Sequence, residues 1–170
     1  TEEAVGTYPK VLTADYESNS NYIVTVVKGD FAIKTAFIED AELAAAGGSW
    51  TYDGAAHAAT AKLMNAPGYT IYYKAGNGEW STVAPNVTNV SEGLVTVSVK
   101  ATKTGYEDLT TDDVTLQITP KTATITVDNA EKFFDEQDPA FTGTVTDLVN
   151  ESDLGTVSYK RTNAEEAVGI

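Results

Sequence analysis

Val95, Val97, Val99 and Ala101 alternate with Thr96, Ser98 and Lys100. Successive side chains of a strand point to opposite faces, so a period of two fits a half-buried β-strand and excludes an amphipathic helix. The same period returns in Ala59, Ala61 and Leu63, and again in Val114, Leu116 and Ile118. Tyr69, Ile71 and Tyr73 point one way while Thr70, Tyr72 and Lys74 point the other. Turn residues separate these runs: Asp53-Gly54, Asn65-Ala66-Pro67-Gly68, Gly76-Asn77-Gly78 and Gly105-Tyr106. Glycine and asparagine accept the positive φ that tight hairpins need.

About seven short strands over 36–119, with turns between them, predict an all-β fold with an immunoglobulin-like β-sandwich at its centre. Ala36 to Ala46 opens as a strand. Its Glu42-Leu43-Ala44-Ala45-Ala46 run has helical propensity, but it is too short for a helix and Gly47-Gly48 stops it. The chain has no cysteine, so no disulfide pins the sheets and no thiolate chemistry is available.

The flanking segments are also β-patterned, but shorter. Tyr22 to Lys28 reads as a strand closed by a Gly29-Asp30 turn, with Phe31 and Ile33 on one face after it. Val11, Leu12 and Ala14 form a weaker strand. After the Thr119-Pro120-Lys121-Thr122 linker, Ala123, Ile125 and Val127 alternate, Asp128-Asn129 turns, and Val157 with Tyr159 makes a last strand face. A two- or three-stranded piece buries little and is marginal alone.

The two ends echo each other. Glu2-Glu3-Ala4-Val5-Gly6 recurs as Glu165-Glu166-Ala167-Val168-Gly169. Such an echo is expected of a stretch of a longer repeating array. The expected division is therefore three-part. Residues 1–35 are the C-terminal half of a β repeat domain, 36–119 the sandwich, and 120–170 the N-terminal half of a β repeat domain. The sandwich holds its ends at opposite poles, so residues 120–170 of one copy are expected to join residues 1–35 of another, head to tail.

The end segments resemble the MBG repeats of bacterial surface proteins. The likeness rests on Ile118-Thr119-Pro120-Lys121, Phe134 to Phe141, Leu148-Val149-Asn150, Val5-Gly6-Thr7-Tyr8 and Gly29 to Ile33. That family usually carries Tyr-Gly where this chain has Phe134-Asp135. The middle resembles bacterial immunoglobulin-like surface repeats through Tyr52-Asp53-Gly54, Trp80, Gly105-Tyr106 and Val114 to Ile118. Both resemblances imply large, multi-repeat, extracellular or cell-surface bacterial proteins, and neither brings catalytic residues.

The chemistry agrees with a module that binds or spaces. The formal net charge of -14 argues against nucleic acid and anionic membrane partners. No apolar run is long enough to span a membrane. His57 is the single histidine and reads as a strand-border residue. Asp112-Asp113, Asp135-Glu136 with Asp138, and Glu165-Glu166 offer oxygens without the spacing of a dedicated calcium loop, and read as solvated turns. No metal or cofactor is called for, and no nucleophile, base and orienting group form a catalytic set. Trp50, Tyr72 and Trp80 are the candidate ligand-binding residues, because aromatic rings on a sheet face stack on sugars.

The expected function is a non-catalytic structural or adhesive repeat of a bacterial surface or secreted protein, acting as a stalk or a ligand-presenting unit. The alternative is an accessory carbohydrate-binding module of a secreted glycan-active enzyme. Expected partners are neighbouring repeats of the same protein, and a host or dietary glycan or a surface protein.

Overall fold

The computed structural model describes residues 4–163. Most of the repeated pentapeptide, Glu2-Glu3 and Glu165 to Gly169, lies outside them. The fold is all-β. Strands run in chain order as β1 (Gly6–Leu12), β2 (Gly29–Ile33), β3 (Glu42–Ala46), β4 (Gly48–Thr51), β5 (His57–Ala58), β6 (Thr60–Met64), β7 (Thr70–Ala75), β8 (Asn86–Val87), β9 (Val95–Thr102), β10 (Leu109–Thr110), β11 (Val114–Thr119), β12 (Thr124–Val127) and β13 (Gly143–Thr146). A single 3-10 turn, Val90–Glu92, is the helical element among the described residues. The chain forms two compact units from interleaved segments.

The first unit comprises 4–48, Ala58–Pro85 and Thr96–Thr115. Here β1 and β2 make an antiparallel ribbon with Gly6 opposite Ile33, Tyr8 opposite Phe31 and Leu12 opposite Gly29, and a register shift between Tyr8 and Leu12. The shift is held by Lys10, which takes φ 55° and donates its amide to Asp30 Oδ1 at 2.7 Å. The strand expected at Tyr22 to Lys28 is absent. Ile23 and Val27 are exposed there, and Gly29-Asp30 opens β2 instead of turning the chain. β-branched residues favour a strand only where a neighbour supplies hydrogen bonds and a surface to pack on.

Glu42 to Ala46 becomes β3, paired antiparallel with β6 so that Leu43 faces Leu63 and Ala45 faces Ala61. Burial of Leu43 outweighs the helical preference of the alanines. Strand β9 pairs with β7, Tyr73 opposite Val99 and Ile71 opposite Ala101, and with β10. Val97, Val99 and Ala101 are buried, the apolar face of the alternation, and burial of Tyr69 and Tyr73 makes theirs the inward face of β7. The hairpin after β7 closes with Gly78 N–H donating to Ala75 O at 2.9 Å. Gly76, at the first central position, takes φ 51°. The geometry is thus that of a II′ turn on Gly76-Asn77, rather than one centred on Asn77-Gly78.

The second unit comprises Ser49–His57, Asn86–Val95 and 116–163. Strands β4 and β11 run together: Tyr52 N–H donates to Thr119 O at 2.9 Å and Thr119 Oγ1 donates to Trp50 O at 3.1 Å. Leu116, Ile118 and Val87 are buried. At the 3-10 turn, Glu92 accepts the Thr88 and Asn89 amides at 2.7 and 2.6 Å, which holds its carboxyl below the usual range.

In the same unit β12 pairs antiparallel with β13, from Thr124 opposite Thr146 to Val127 opposite Gly143. The turn expected at Asp128-Asn129 is instead the start of a long loop, 128–142, whose neck is closed by Asp128 N–H donating to Thr142 O at 2.9 Å. Val157 and Tyr159 alternate in burial as expected but lie in no ladder. The Tyr159 ring packs on β13 where Gly143 leaves room, since a Cβ there would lie 2.6 Å from Tyr159 Cε1. This ring covers backbone, and its segment needs no strand to do so.

Candidate functional site

The pleat of β7 and its hairpin places Tyr72 and Trp80 on one face. Tyr72 and Lys74 alternate with the inward residues Ile71 and Tyr73, and register sets Tyr72 opposite Lys100 and Lys74 opposite Ser98. Beyond the turn, Ser81 pairs with Tyr73 through two backbone hydrogen bonds of 2.8 and 2.9 Å. Ser81 therefore shares the inward face with Tyr73, and Trp80, one residue earlier, projects outward. Its indole lies across the strands: Lys74 Nζ stands 5.1 Å and Lys100 Nζ 4.7 Å from the ring centroid. Each such cation–π contact is worth about 0.5–1 kcal/mol at an exposed site. Trp80 remains 38% exposed. The result is a partly exposed indole with two ammonium groups over its ring.

Trp50 belongs to the other unit and has a different setting. It stacks on His57, with centroids 4.6 Å apart and planes 17° from parallel. His57 Nε2 lies 3.0 and 3.1 Å from the two Asp53 carboxylate oxygens, and Asp53 Oδ1 also accepts the Ala55 amide at 2.9 Å. The Ala55 amide first, and His57 second, hold the Asp53 carboxyl below the usual carboxylate range. Asp53-Gly54 is thus a turn stapled by its own carboxylate, and Trp50 and His57 cover one another. Of the three aromatic candidates, the structure brings together Tyr72 and Trp80. Sequence reasoning missed Lys74 and Lys100, although the period of two already put Lys74 on the face of Tyr72.

The loop 128–142 carries a second polar constellation. Asp138 accepts Arg161 Nε at 2.7 Å on Oδ2, while Lys132 Nζ stands 3.1 Å from Oδ1. Lys132 also donates to Glu136 O at 2.7 Å. Both oxygens of the carboxylate that could have faced a cation are engaged by basic side chains. These bonds, Lys132 first and Arg161 next, hold the Asp138 carboxyl below its ordinary range. A group with a depressed native pKa stabilises the fold above its unfolded pKa, near 3.9, and that contribution disappears as pH falls through the native value. Asp138→Asn should therefore flatten the loss of thermal stability as pH falls below about 4. Melting curves across that range that coincide for the two proteins would remove Asp138 from the acid response.

Within the same loop, Glu136 N–H donates to Phe133 O at 3.2 Å, closing a turn whose third residue, Asp135, has φ 65°. A type II turn needs positive φ there, which is the place of glycine. Aspartate tolerates it and β-branched residues do not. Asp135→Val should cost about 1–2 kcal/mol of unfolding free energy, whereas Asp135→Gly should cost nothing. A valine variant as stable as the parent in chemical denaturation would refute this account of the turn. Asp135 thus stands in a position whose backbone would suit glycine.

Neither a curated protein nor a solved structure matches the chain. The stretch 123–170 matches the family model of the MBG domain (YGX type).

Proposed function

We propose that this protein is a non-catalytic structural or adhesive repeat module of a bacterial surface or secreted protein, acting extracellularly as a stalk or ligand-presenting unit. The observation that carries the reading is the MBG match over 123–170, set in an all-β chain. The connections suit a spacer: β11 ends at Thr119 and β12 begins at Thr124, and the short link contains Pro120, whose fixed φ restricts bending. On this reading the middle segment is a sandwich repeat and the two ends are halves of neighbouring repeats.

The ends also support association between repeats. Strand β12 is exposed along its whole length, including Ile125 and Val127, and Phe31, Leu12 and Val11 are exposed on the β1–β2 ribbon. Two-stranded ribbons of this kind gain by pairing with a second layer. The occupant proposed for the 120–170 ribbon is the 1–35 ribbon of the next copy. Light scattering over a hundredfold concentration range tests it: mass rising with concentration supports head-to-tail association, and a constant monomer mass sinks it.

A second reading, an accessory carbohydrate-binding module of a glycan-active enzyme, is favoured by the exposed face holding Tyr72 and Trp80. A glycan array with the parent protein and Trp80→Ala separates the two readings. Absence of sugar binding in the folded parent leaves the stalk alone.

A further inference from the structure

We propose that the outward face of β7, β9 and the Trp80 hairpin binds an acidic oligosaccharide, a chain of pyranose rings bearing carboxylate or sulfate. The inference rests on the ligand-presenting reading and names its ligand class. Two observations carry it. The first is an indole on the outward face of the sheet, left 38% exposed, with Tyr72 on the same face. A pyranose ring offers a flat face of C–H groups that packs on such a surface and displaces water from both.

The second is charge. The chain has 25 acidic residues against 11 basic ones. Even so, Lys74 and Lys100 form no ion pair with a carboxylate among the described residues, and both ammonium groups stand over the same ring, 5.1 and 4.7 Å from its centroid. The described ion pairs are made by His57, Lys132 and Arg161. In an acidic chain, two lysines retained together beside an exposed indole make a local positive site. A charged sugar satisfies both demands: its ring covers the indole and its anionic group takes charge-assisted hydrogen bonds from the ammonium groups. A neutral sugar would leave the lysines unused, and an extended acidic peptide would leave the indole without a flat partner.

The test is a titration followed by the side-chain N–H signals of the two tryptophans in NMR spectra. The probes are oligogalacturonate, a sulfated galactan oligosaccharide, a neutral cello-oligosaccharide and oligoglutamate. The variants are Lys74→Gln and Lys100→Gln, each checked for an unchanged melting curve. The expected result is a shift of the Trp80 signal with an acidic sugar. Each lysine variant should weaken binding by about tenfold, the worth of one charge-assisted hydrogen bond, and added salt should weaken it further. The uronate and sulfate arms identify the anion. Equal binding of the neutral sugar would overturn the proposal while sparing the ligand-presenting reading. Stronger binding of oligoglutamate would overturn it in favour of a peptide partner. Silence of the Trp80 signal with every sugar would remove both.

Discussion

Leu116→Ala should lower the free energy of unfolding by about 2–5 kcal/mol, the largest loss expected from a single truncation in this chain. Leu116 lies at the middle of β11 and is completely buried, with Ile118 the bulkiest of the fully buried side chains among the described residues. Removing its branched end loses the transfer free energy of the missing carbons. It also leaves a cavity that neighbouring strands, fixed by their ladders, close only in part. A domain whose total stability is about 5–15 kcal/mol would lose a large fraction of it. Leu116→Met, which conserves volume, should cost less than about 1.5 kcal/mol. Urea denaturation gives the comparison, and equal midpoints for the alanine variant and the parent would show that β11 is not where the fold keeps its stability.

Gly47→Ala should rank next, for a reason unrelated to backbone conformation. Gly47 joins β3 to β4 beside Thr115 of β11: an added Cβ would sit 2.2 Å from Thr115 O, with Thr115 C and N at 3.0 and 3.1 Å. These are backbone atoms and cannot swing aside as a side chain would. Overfilling a packed site costs about 1–3 kcal/mol, and with backbone on the receiving side the upper figure is expected. Gly6→Ala is the control, because a Cβ at Gly6 meets nothing within 4 Å. It should leave the melting temperature within a degree or two, about what a change of a few tenths of a kcal/mol produces. If both glycine variants melt together, the close approach at Thr115 has no energetic weight.

The elements legible in the sequence are those whose pattern and partner coincide. Strands β9 and β11 carry unbroken alternation, and every residue read as inward from Val97 to Ala101 and at Leu116 and Ile118 is buried. Tyr69 and Tyr73 are buried and Ile71 is half-buried, because β7 has a neighbour on which to impose its pleat. Tyr22 to Lys28 has an equally good composition and no ladder, since propensity is not a hydrogen-bond partner. Glu42 to Ala46 has helical propensity but is too short for a helix, and pairing with β6 makes it the strand with which Ala36 to Ala46 is expected to open. The pairing of β12 with β13 was hidden because the loop between them is long, and short-range turn signals carry no information about such partners. At the candidate site, the shared face of Tyr72 and Trp80 follows from period two and a hairpin. The reach of Lys100 to the indole depends on which strand lies beside β7, which local pattern does not encode.

The β12–β13 register has a mechanical consequence. Thr124 and Thr146 are opposite each other, so the chain enters and leaves this ribbon at the same end. Tension along the polypeptide would load its hydrogen bonds one after another, as a zip opens, instead of all at once in shear. Opening the stretch from Thr124 to Thr146 would release about 75–80 Å of contour length at a low force. A filament built from such units would lengthen at these ribbons first, while strands held in wider sheets stayed folded.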